Sequence, residues 1–234
     1  LRVSLSGKSD TMTGRLALWD GGNTLATHQE FGGRIKPQEN LSSTDLHSSH
    51  VAGTLIASGV NANAKGMSFG ADLKVWDYNN DNAEISDASV PKTGPPLLVS
   101  NHSYGYQAGW VYDSTKSKWQ WWGEDKVSTF EDYKFGFYDS NAQSLDKIAF
   151  NAPFYLMVKS AGNSRNGNGP DAGKYYFLKT STKDSSNISR SKNDGYDIIS
   201  TTGTAKNILT VGAAESMYTI PEKGSDVALA NFSA

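Results

Sequence analysis

The sequence predicts an α/β domain built on a mostly parallel sheet, and three stretches carry that prediction. Leu16-Ala17-Leu18-Trp19-Asp20-Gly21-Gly22 is an apolar run ending in Asp-Gly, the pattern of a buried strand that delivers a carboxylate at its C-terminal end. Tyr155 to Asn163 is a second run of this kind and delivers an Asn. Between them, Asp45 to Ala57 opens with polar residues and two histidines, then turns small and apolar through Val51, Ala52, Leu55 and Ile56, which reads as a helix entering a core. In open α/β sheets, ligands and reacting groups gather at the carboxyl ends of the strands.

His47 falls at the mouth of that helix, where a side chain can face a cleft. Histidine is the usual general base. A lone His is nevertheless more often structural, and two at i, i+3 (His47 and His50) share a helical face by accident as readily as by design. Ala52, Gly53 and Ala57 are small enough for neighbours to approach the helix closely.

Taken together, Asp20-Gly21-Gly22, His47-Ser48-Ser49-His50-Val51-Ala52-Gly53 and Ser160-Ala161-Gly162-Asn163 resemble the three motifs of the subtilases, the subtilisin-like serine peptidases. Those motifs are an Asp-Thr/Ser-Gly strand end, a His-Gly-Thr-His-Val-Ala-Gly helix start and an Ala-Ala-Gly-Asn strand end, in the same order. The resemblance implies a three-layer α/β/α fold with a mostly parallel sheet. It implies a secreted, periplasmic or cell-surface serine endopeptidase that works by acyl transfer on a peptide or protein substrate. It makes Asp20 and His47 the catalytic pair and Asn163 the oxyanion donor.

Length and composition are compatible with this. The 234 residues suffice for one sizeable domain. Lys and Arg number 22 against 24 Asp and Glu, a balance that points to neither nucleic acid nor an anionic membrane as partner. The absence of cysteine excludes disulfides, thiol catalysis and a Cys-type zinc site. No apolar run approaches the roughly 18 residues of a membrane span. Residues 1–10 carry no signal-peptide pattern, so a secreted enzyme would have lost its leader and any pro-segment beforehand.

In chain order, residues 1–14 are a polar entry arm and Arg15 to Asp20 is the first strand. Thr27 to Phe31 resembles the family's turn after the Asp strand. Residues 32–46 read as a loop, followed by the His47 helix to about Ser58. Gly66-Met67-Ser68-Phe69-Gly70 matches the nucleophile elbow of α/β-hydrolases, but that motif needs a strand before it and a helix after it. Here a poor strand former precedes it and Ala71 to Trp76 reads as a strand. In many subtilases the loop from Gly59 to Gly70 wraps a calcium ion, which requires several oxygen ligands. Glu30 matches the family's carboxylate ligand, but Val60 stands where the Asn ligand would be, so neither calcium nor another cofactor is expected.

Pro95 to Gly105 reads as a strand leaving a Pro-rich turn and resembles the family's Asn-x-Ser-x-Gly segment. That segment pairs with the substrate backbone, which makes Ser103, Tyr104 and Gly105 the substrate-binding edge. His102 points away from the Ser103 face by strand alternation and reads as structural. Residues 106–138 depart from the family and are crowded with aromatics. Trp110 to Tyr112 and Trp119 to Trp122 read as the two strands of a β-hairpin. The insertion either packs its own small cluster, walls the substrate cleft, or offers a stacking platform to carbohydrate or single-stranded nucleic acid. Asp139 to Asn151 has helical spacing, with Leu145, Ile148 and Ala149 on one face. Residues 164–195 read as a polar insertion. Ile208 to Ala214 reads as a strand, and Ala230-Asn231-Phe232-Ser233-Ala234 resembles the family's Ala-x-Phe-Ser-Ser.

The family's nucleophile motif, Gly-Thr-Ser-Met-Ala, has no counterpart: Gly203-Thr204-Ala205 is the nearest string, and it lacks the hydroxyl. The expectation is therefore a subtilisin-like domain over residues 1–234, incomplete at its C-terminus and inactive alone, with a separate C-terminal fragment as the partner that completes it. In a complete fold the missing helix would cover Val51, Leu55 and Ile56. Two other readings stand beside this one. One is a non-catalytic peptide-binding module using the Ser103–Gly105 edge. The other is a metal hydrolase built on His47, His50 and Glu30. The subtilase reading itself assigns no metal.

Overall fold

The computed structural model describes residues 13–179, 184–193, 198–217 and 221–234. Most of the entry arm, residues 1–12, lies outside them, as do 180–183 and 194–195 of the second predicted insertion. The chain divides into two compact units: Leu1–Tyr104 with Ser144–Lys159 and Asn207–Leu209, and Gly105–Gln143 with Ser160–Lys206 and Thr210–Ala234.

The first unit is built around β1 (Leu16–Asp20), whose five residues are all buried. Successive strand residues point to opposite faces, so a strand buried throughout is covered on both sides, and its sequence is continuously apolar rather than alternating. β1 pairs in parallel with β3 (Leu73–Asp77) on one side, setting Asp20 against Asp77, and with β4 (Val99–His102) on the other, setting Trp19 against His102. β2 (Ile35–Pro37) pairs in parallel with β3, and β4 pairs in parallel with β7 (Leu156–Ser160). With β10 (Leu209–Val211), the order of the mostly parallel six-stranded sheet is β10-β7-β4-β1-β3-β2. β2 forms inside the stretch expected as a loop. Only Ile35 of its three residues is buried, which leaves almost no alternation to read.

Among the described residues, three α-helices accompany the sheet: α1 (Leu46–Ile56), α2 (Asp81–Ser89) and α3 (Ser140–Asn151). α1 is the predicted His47 helix. Ser48, Ala52 and Ile56, spaced by four, are its buried stripe. Ala52 and Ile56 enter a core with Leu16, Leu18, Phe31, Ile35, Leu73 and Val75, and Val51 and Leu55 pack against it. The expectation that Val51, Leu55 and Ile56 wait for a further helix is corrected for Ile56, which is fully buried against the sheet, while Val51 and Leu55 are only partly buried. Of the small residues expected to permit close approach, Ala52 and Ala57 are buried, but Gly53 is not. A Cβ on Gly53 would meet open space, whereas one on Gly66 would sit 2.4 Å from the Ala57 nitrogen. Gly66, Met67 and Ser68 donate their N–H groups to the carbonyls of Ala57, Thr54 and Leu55, the orphan acceptors at the C-terminus of α1. The Gly66–Gly70 string is therefore a helix stop, not a nucleophile elbow. α2 has no counterpart among the sequence expectations; its sequence is mostly polar and only Ile85 and Ser89 are buried.

In the second unit the predicted hairpin is present as β5 (Trp110–Asp113) and β6 (Lys118–Trp121), antiparallel with Trp110 opposite Trp121. It continues into β8 (Tyr176–Leu178) and β9 (Ser185–Ser186), giving a four-stranded sheet of order β5-β6-β8-β9. The two insertions thus form one body. Trp110, Trp121 and Tyr176 are its core, with ring centroids 5.0 Å apart for Trp110–Trp121 and 4.6 Å for Trp110–Tyr176. Arg190 grips the Asp125 carboxylate through both terminal nitrogens, at 2.6 and 2.9 Å, and lies over the Trp121 ring.

Candidate active site

β1 ends at Asp20, and the chain after it is tied to the first turn of α1. Asp45 caps that helix: its Oδ1 accepts the Ser48 N–H at 2.7 Å, satisfying one of the four N–H groups a helix start leaves without partners. Asp45 in turn donates its own N–H to the Asn23 carbonyl at 2.7 Å. Thr24 and Ser48 share a buried hydroxyl–hydroxyl bond at 2.8 Å, and Leu25 N–H donates to Ser49 Oγ at 2.9 Å. These bonds fix the strand end against the helix mouth, and so fix Asp20 against His47.

The result is a hydrogen bond of 2.7 Å between His47 Nδ1 and Asp20 Oδ1. A carboxylate only accepts, so Nδ1 carries the proton and Nε2 is left as the acceptor. Gly21 N–H donates to the same Oδ1 at 2.7 Å. Asp20 is 2% exposed, and its second oxygen, Oδ2, is buried without a hydrogen-bond partner among the described residues. The His47 side chain is 57% exposed, so one end of the pair is buried and the other faces solvent.

Ser103 and Tyr104 follow β4, whose parallel neighbour β1 delivers Asp20 at the same edge of the sheet. They lie just past the strand end rather than within a strand as expected. Ser103 Oγ accepts from Asn101 Nδ2 at 2.9 Å. Tyr104 is held from three sides. Its hydroxyl donates to Asp81 Oδ2 at 2.8 Å and lies 3.0 Å from His102 Nδ1, while the Lys159 ammonium donates to its backbone carbonyl. The Lys159 nitrogen also lies 4.7 Å from the centre of the Tyr104 ring. His102 Nε2 bonds Ser100 Oγ at 2.6 Å, and Ser100 bonds the Tyr155 hydroxyl. Burial, reinforced by the Lys159 charge, pushes His102 down to about 3, so it is a neutral hydrogen-bonding residue. Burial pushes Lys159 down to about 8 against the opposing pull of Asp81. Burial, with Asp81 beside it, raises Tyr104 well above its ordinary value.

Gly105 and Asn163 belong to the second unit, and both are exposed. Asn163 follows Gly162, whose φ of +124° suits only glycine. Ala161 N–H donates to the Val211 carbonyl and Ala234 N–H to that of Gly162, which fixes the backbone just before Asn163.

The structure does not bring Glu30 and His50 together with His47 as metal ligands. Among the described residues, the His and carboxylate side chains that converge are Asp20, Asp45 and His47. Glu30 is instead committed to the backbone: its oxygens accept the N–H groups of Gly59, Val60 and Asn61 at 2.7, 3.0 and 2.8 Å.

Sequence reasoning missed Asp45, Asp81 and Lys159. Asp45 had a local signal, an Asp three residues before Ser48 at a helix start. The other two meet Tyr104 only through the fold.

The model of the Subtilase family matches residues 23–233, beginning just after Asp20 and including His47, Ser103 to Gly105 and Asn163. No curated protein matches. Among solved structures, the CspB protease of Clostridium perfringens is similar at 16% identity and a TM-score of 0.44, covering 74% of this chain. The chain spans 39% of the length of that protein. By the family match over most of its length, the chain belongs to the subtilase family.

Proposed function

We propose that these residues are the part of a subtilisin-like serine endopeptidase that supplies the Asp and His of an Asp-His-Ser triad. The observation that carries the reading is the 2.7 Å bond between His47 Nδ1 and the buried Asp20 carboxylate. Asp20 holds the tautomer that leaves Nε2 able to accept a proton. It then stabilises the imidazolium once His47 has taken the proton from the nucleophile. His47 later returns that proton to the leaving amine. The hydroxyl comes from a serine in a segment outside these 234 residues. Asn163 donates to the oxyanion, and Ser103, Tyr104 and Gly105 form the edge along which a peptide substrate lies. The Lys159 bond to the Tyr104 carbonyl supports this assignment, because it fixes the backbone at that edge.

The same reading places the enzyme outside the cell or at its surface, with a peptide or protein as substrate and neither nucleic acid nor membrane as partner. No helix among the described residues is long and apolar enough to cross a membrane. The saturated Glu30 carboxylate supports a calcium-free Gly59–Asn61 loop.

Peptide hydrolysis tests the proposal. A gene product that extends past Ala234 and contains a Gly-Thr-Ser segment should cleave, and the 234-residue chain alone should not rise above buffer. A longer product that binds peptides without cleaving them would establish the binding-module alternative instead.

A further inference from the structure

We propose that Asp20, Asp45 and His47 form a site for a divalent cation of the zinc class, and that the bound cation silences His47. Nothing in the peptidase reading requires a metal there. The silencing rests on the reading of His47 as the base; the site itself does not.

Three observations carry the site. First, one potential ligand atom from each of the three side chains lies within 4.8 Å of both others. Zinc takes imidazole nitrogen and carboxylate oxygen at about 2.0–2.2 Å, so tetrahedral ligands lie about 3.3–3.6 Å apart. Reaching that size requires the solvent-facing His47 ring to exchange its 2.7 Å bond to Asp20 Oδ1 for the metal. Second, Asp20 is almost wholly buried, yet its Oδ2 has no hydrogen-bond partner among the described residues. A buried carboxylate oxygen without a donor is an uncompensated acceptor, and a cation compensates it. Third, the ligands are already oriented. Gly21 N–H holds Asp20 Oδ1 and Ser48 N–H holds Asp45 Oδ1, each at 2.7 Å.

Charge and ligand type select the ion. Two carboxylates and a neutral imidazole offset a divalent charge, and the imidazole favours zinc over magnesium or calcium. With three protein ligands and His47 facing solvent, the fourth position falls to water. The positive end of α1 opposes a cation at Asp45 and keeps the affinity modest. Metal on Nδ1 replaces the proton shared with Asp20. The ring is then held by the metal and can no longer become the imidazolium that Asp20 stabilises.

Calorimetric titration of the purified 234-residue protein with Zn²⁺ alone tests the site. One equivalent should bind, weakened about tenfold or more by His47→Ala and by Asp45→Asn. Asn retains the helix cap, so the second variant removes a ligand charge without removing the fold, and unchanged circular dichroism checks this. His50→Ala should bind as the wild type does, and Mg²⁺ should give no heat. Co²⁺ at the same site should show the strong visible absorption of a four-coordinate ion. No binding of Zn²⁺ at millimolar concentration, or stoichiometric binding that Asp45→Asn leaves intact, overturns the site. Calorimetry reads the ion directly, so the site stands or falls even in a protein that never cleaves peptides. In an active longer product, zinc that binds at His47 without slowing turnover overturns the silencing.

Discussion

Glu30 accepts the backbone N–H of Asn61 at 2.8 Å across 31 residues of chain, and the same carboxylate takes the N–H groups of Gly59 and Val60. The Asn61 bond is the main cause that holds Glu30 below its ordinary value; burial opposes it, and Val60, Gly59 and the charge of His28 add to it. A depressed folded-state value means that the ionised form stabilises the fold. This contribution is fully present above the unfolded value of about 4.3 and is lost as pH falls through the folded value. Melting curves should therefore shift downward on acidification through that window. Glu30→Gln should melt lower at neutral pH and lose part of the acid dependence. An unchanged acid slope in the variant would assign it to other carboxylates.

Gly66 is the second stability test. A Cβ there would lie 2.4 Å from the Ala57 nitrogen, 2.8 Å from that of Ile56 and 2.9 Å from the Gly53 carbonyl oxygen, all backbone atoms that cannot rotate away. Gly66→Ala should cost about 1–3 kcal/mol or more, by forcing the loop off the end of α1. Gly53→Ala, with open space around it, should be neutral or slightly stabilising because Ala is the better helix former. Denaturant titration of both variants would separate these outcomes.

Trp121 is 1% exposed in the cluster formed by both insertions, whereas Tyr112 on the same hairpin is 51% exposed. Trp121→Ala should destabilise the second unit by about 3–5 kcal/mol. Tyr112→Ala should cost well under 1 kcal/mol, as surface changes generally do. If peptide preference changes in the Tyr112 variant while stability does not, the hairpin also contacts substrate. Unchanged preference leaves it a packing element.

The parts of this molecule legible in the sequence are those with a local signature. The buried run Leu16–Asp20 and the helix after Asp45 announce themselves through burial pattern and polarity, whereas the pairing of Asp20 with His47 came from the resemblance of their motifs to those of the subtilases. Of the second sheet only the hairpin β5–β6 could be read in this way. Tyr176–Leu178 is only three residues long, follows a Gly- and Asn-rich run, and pairs in parallel with Gln120 and Trp121, far back along the chain. Lys159 was likewise invisible. On an alternating strand a Lys reads as a solvent-facing residue, and only the fold shows it buried against the Tyr104 carbonyl. Parallel pairings and buried charges depend on contacts remote in sequence, and no window of ten residues contains them.

In a longer gene product that carries the nucleophile, Asp20→Asn should lower turnover by about 10⁴ with the fold intact, because Asn presents a donor to Nδ1 and favours the wrong imidazole tautomer. Asn163→Ala should lower turnover by about 10²–10³ with little change in KM, as expected of a donor that acts on the oxyanion. Steady-state kinetics on one peptide substrate would resolve both. Equal and small effects from the two changes would remove the triad assignment.

Lys159 makes the most specific pH prediction. Its ammonium is buried, which brings it down from 10.5 to about 8, with Asp81 holding it up. The groups around it are His102, which stays neutral, and Tyr104, which keeps its proton well above its ordinary value. Between about pH 8 and 10 the unfolded chain holds the Lys159 proton while the folded chain releases it. Stability therefore rises with pH across that window. The full difference is on the order of 3 kcal/mol, part of which appears before the tyrosines begin to ionise. Few proteins become more stable on mild alkalinisation, so the sign is diagnostic. Lys159→Met keeps the length of the side chain and removes the charge. Replacing a buried charge with an apolar group is often neutral or stabilising, although here it also leaves the Tyr104 carbonyl without its donor. The Met variant should therefore show a flat stability profile from pH 8 to about 10 where the wild type climbs, as measured by urea unfolding at fixed temperature. Parallel profiles for the two proteins would show that Lys159 remains charged across the window and that the carbonyl bond, not burial, sets its state.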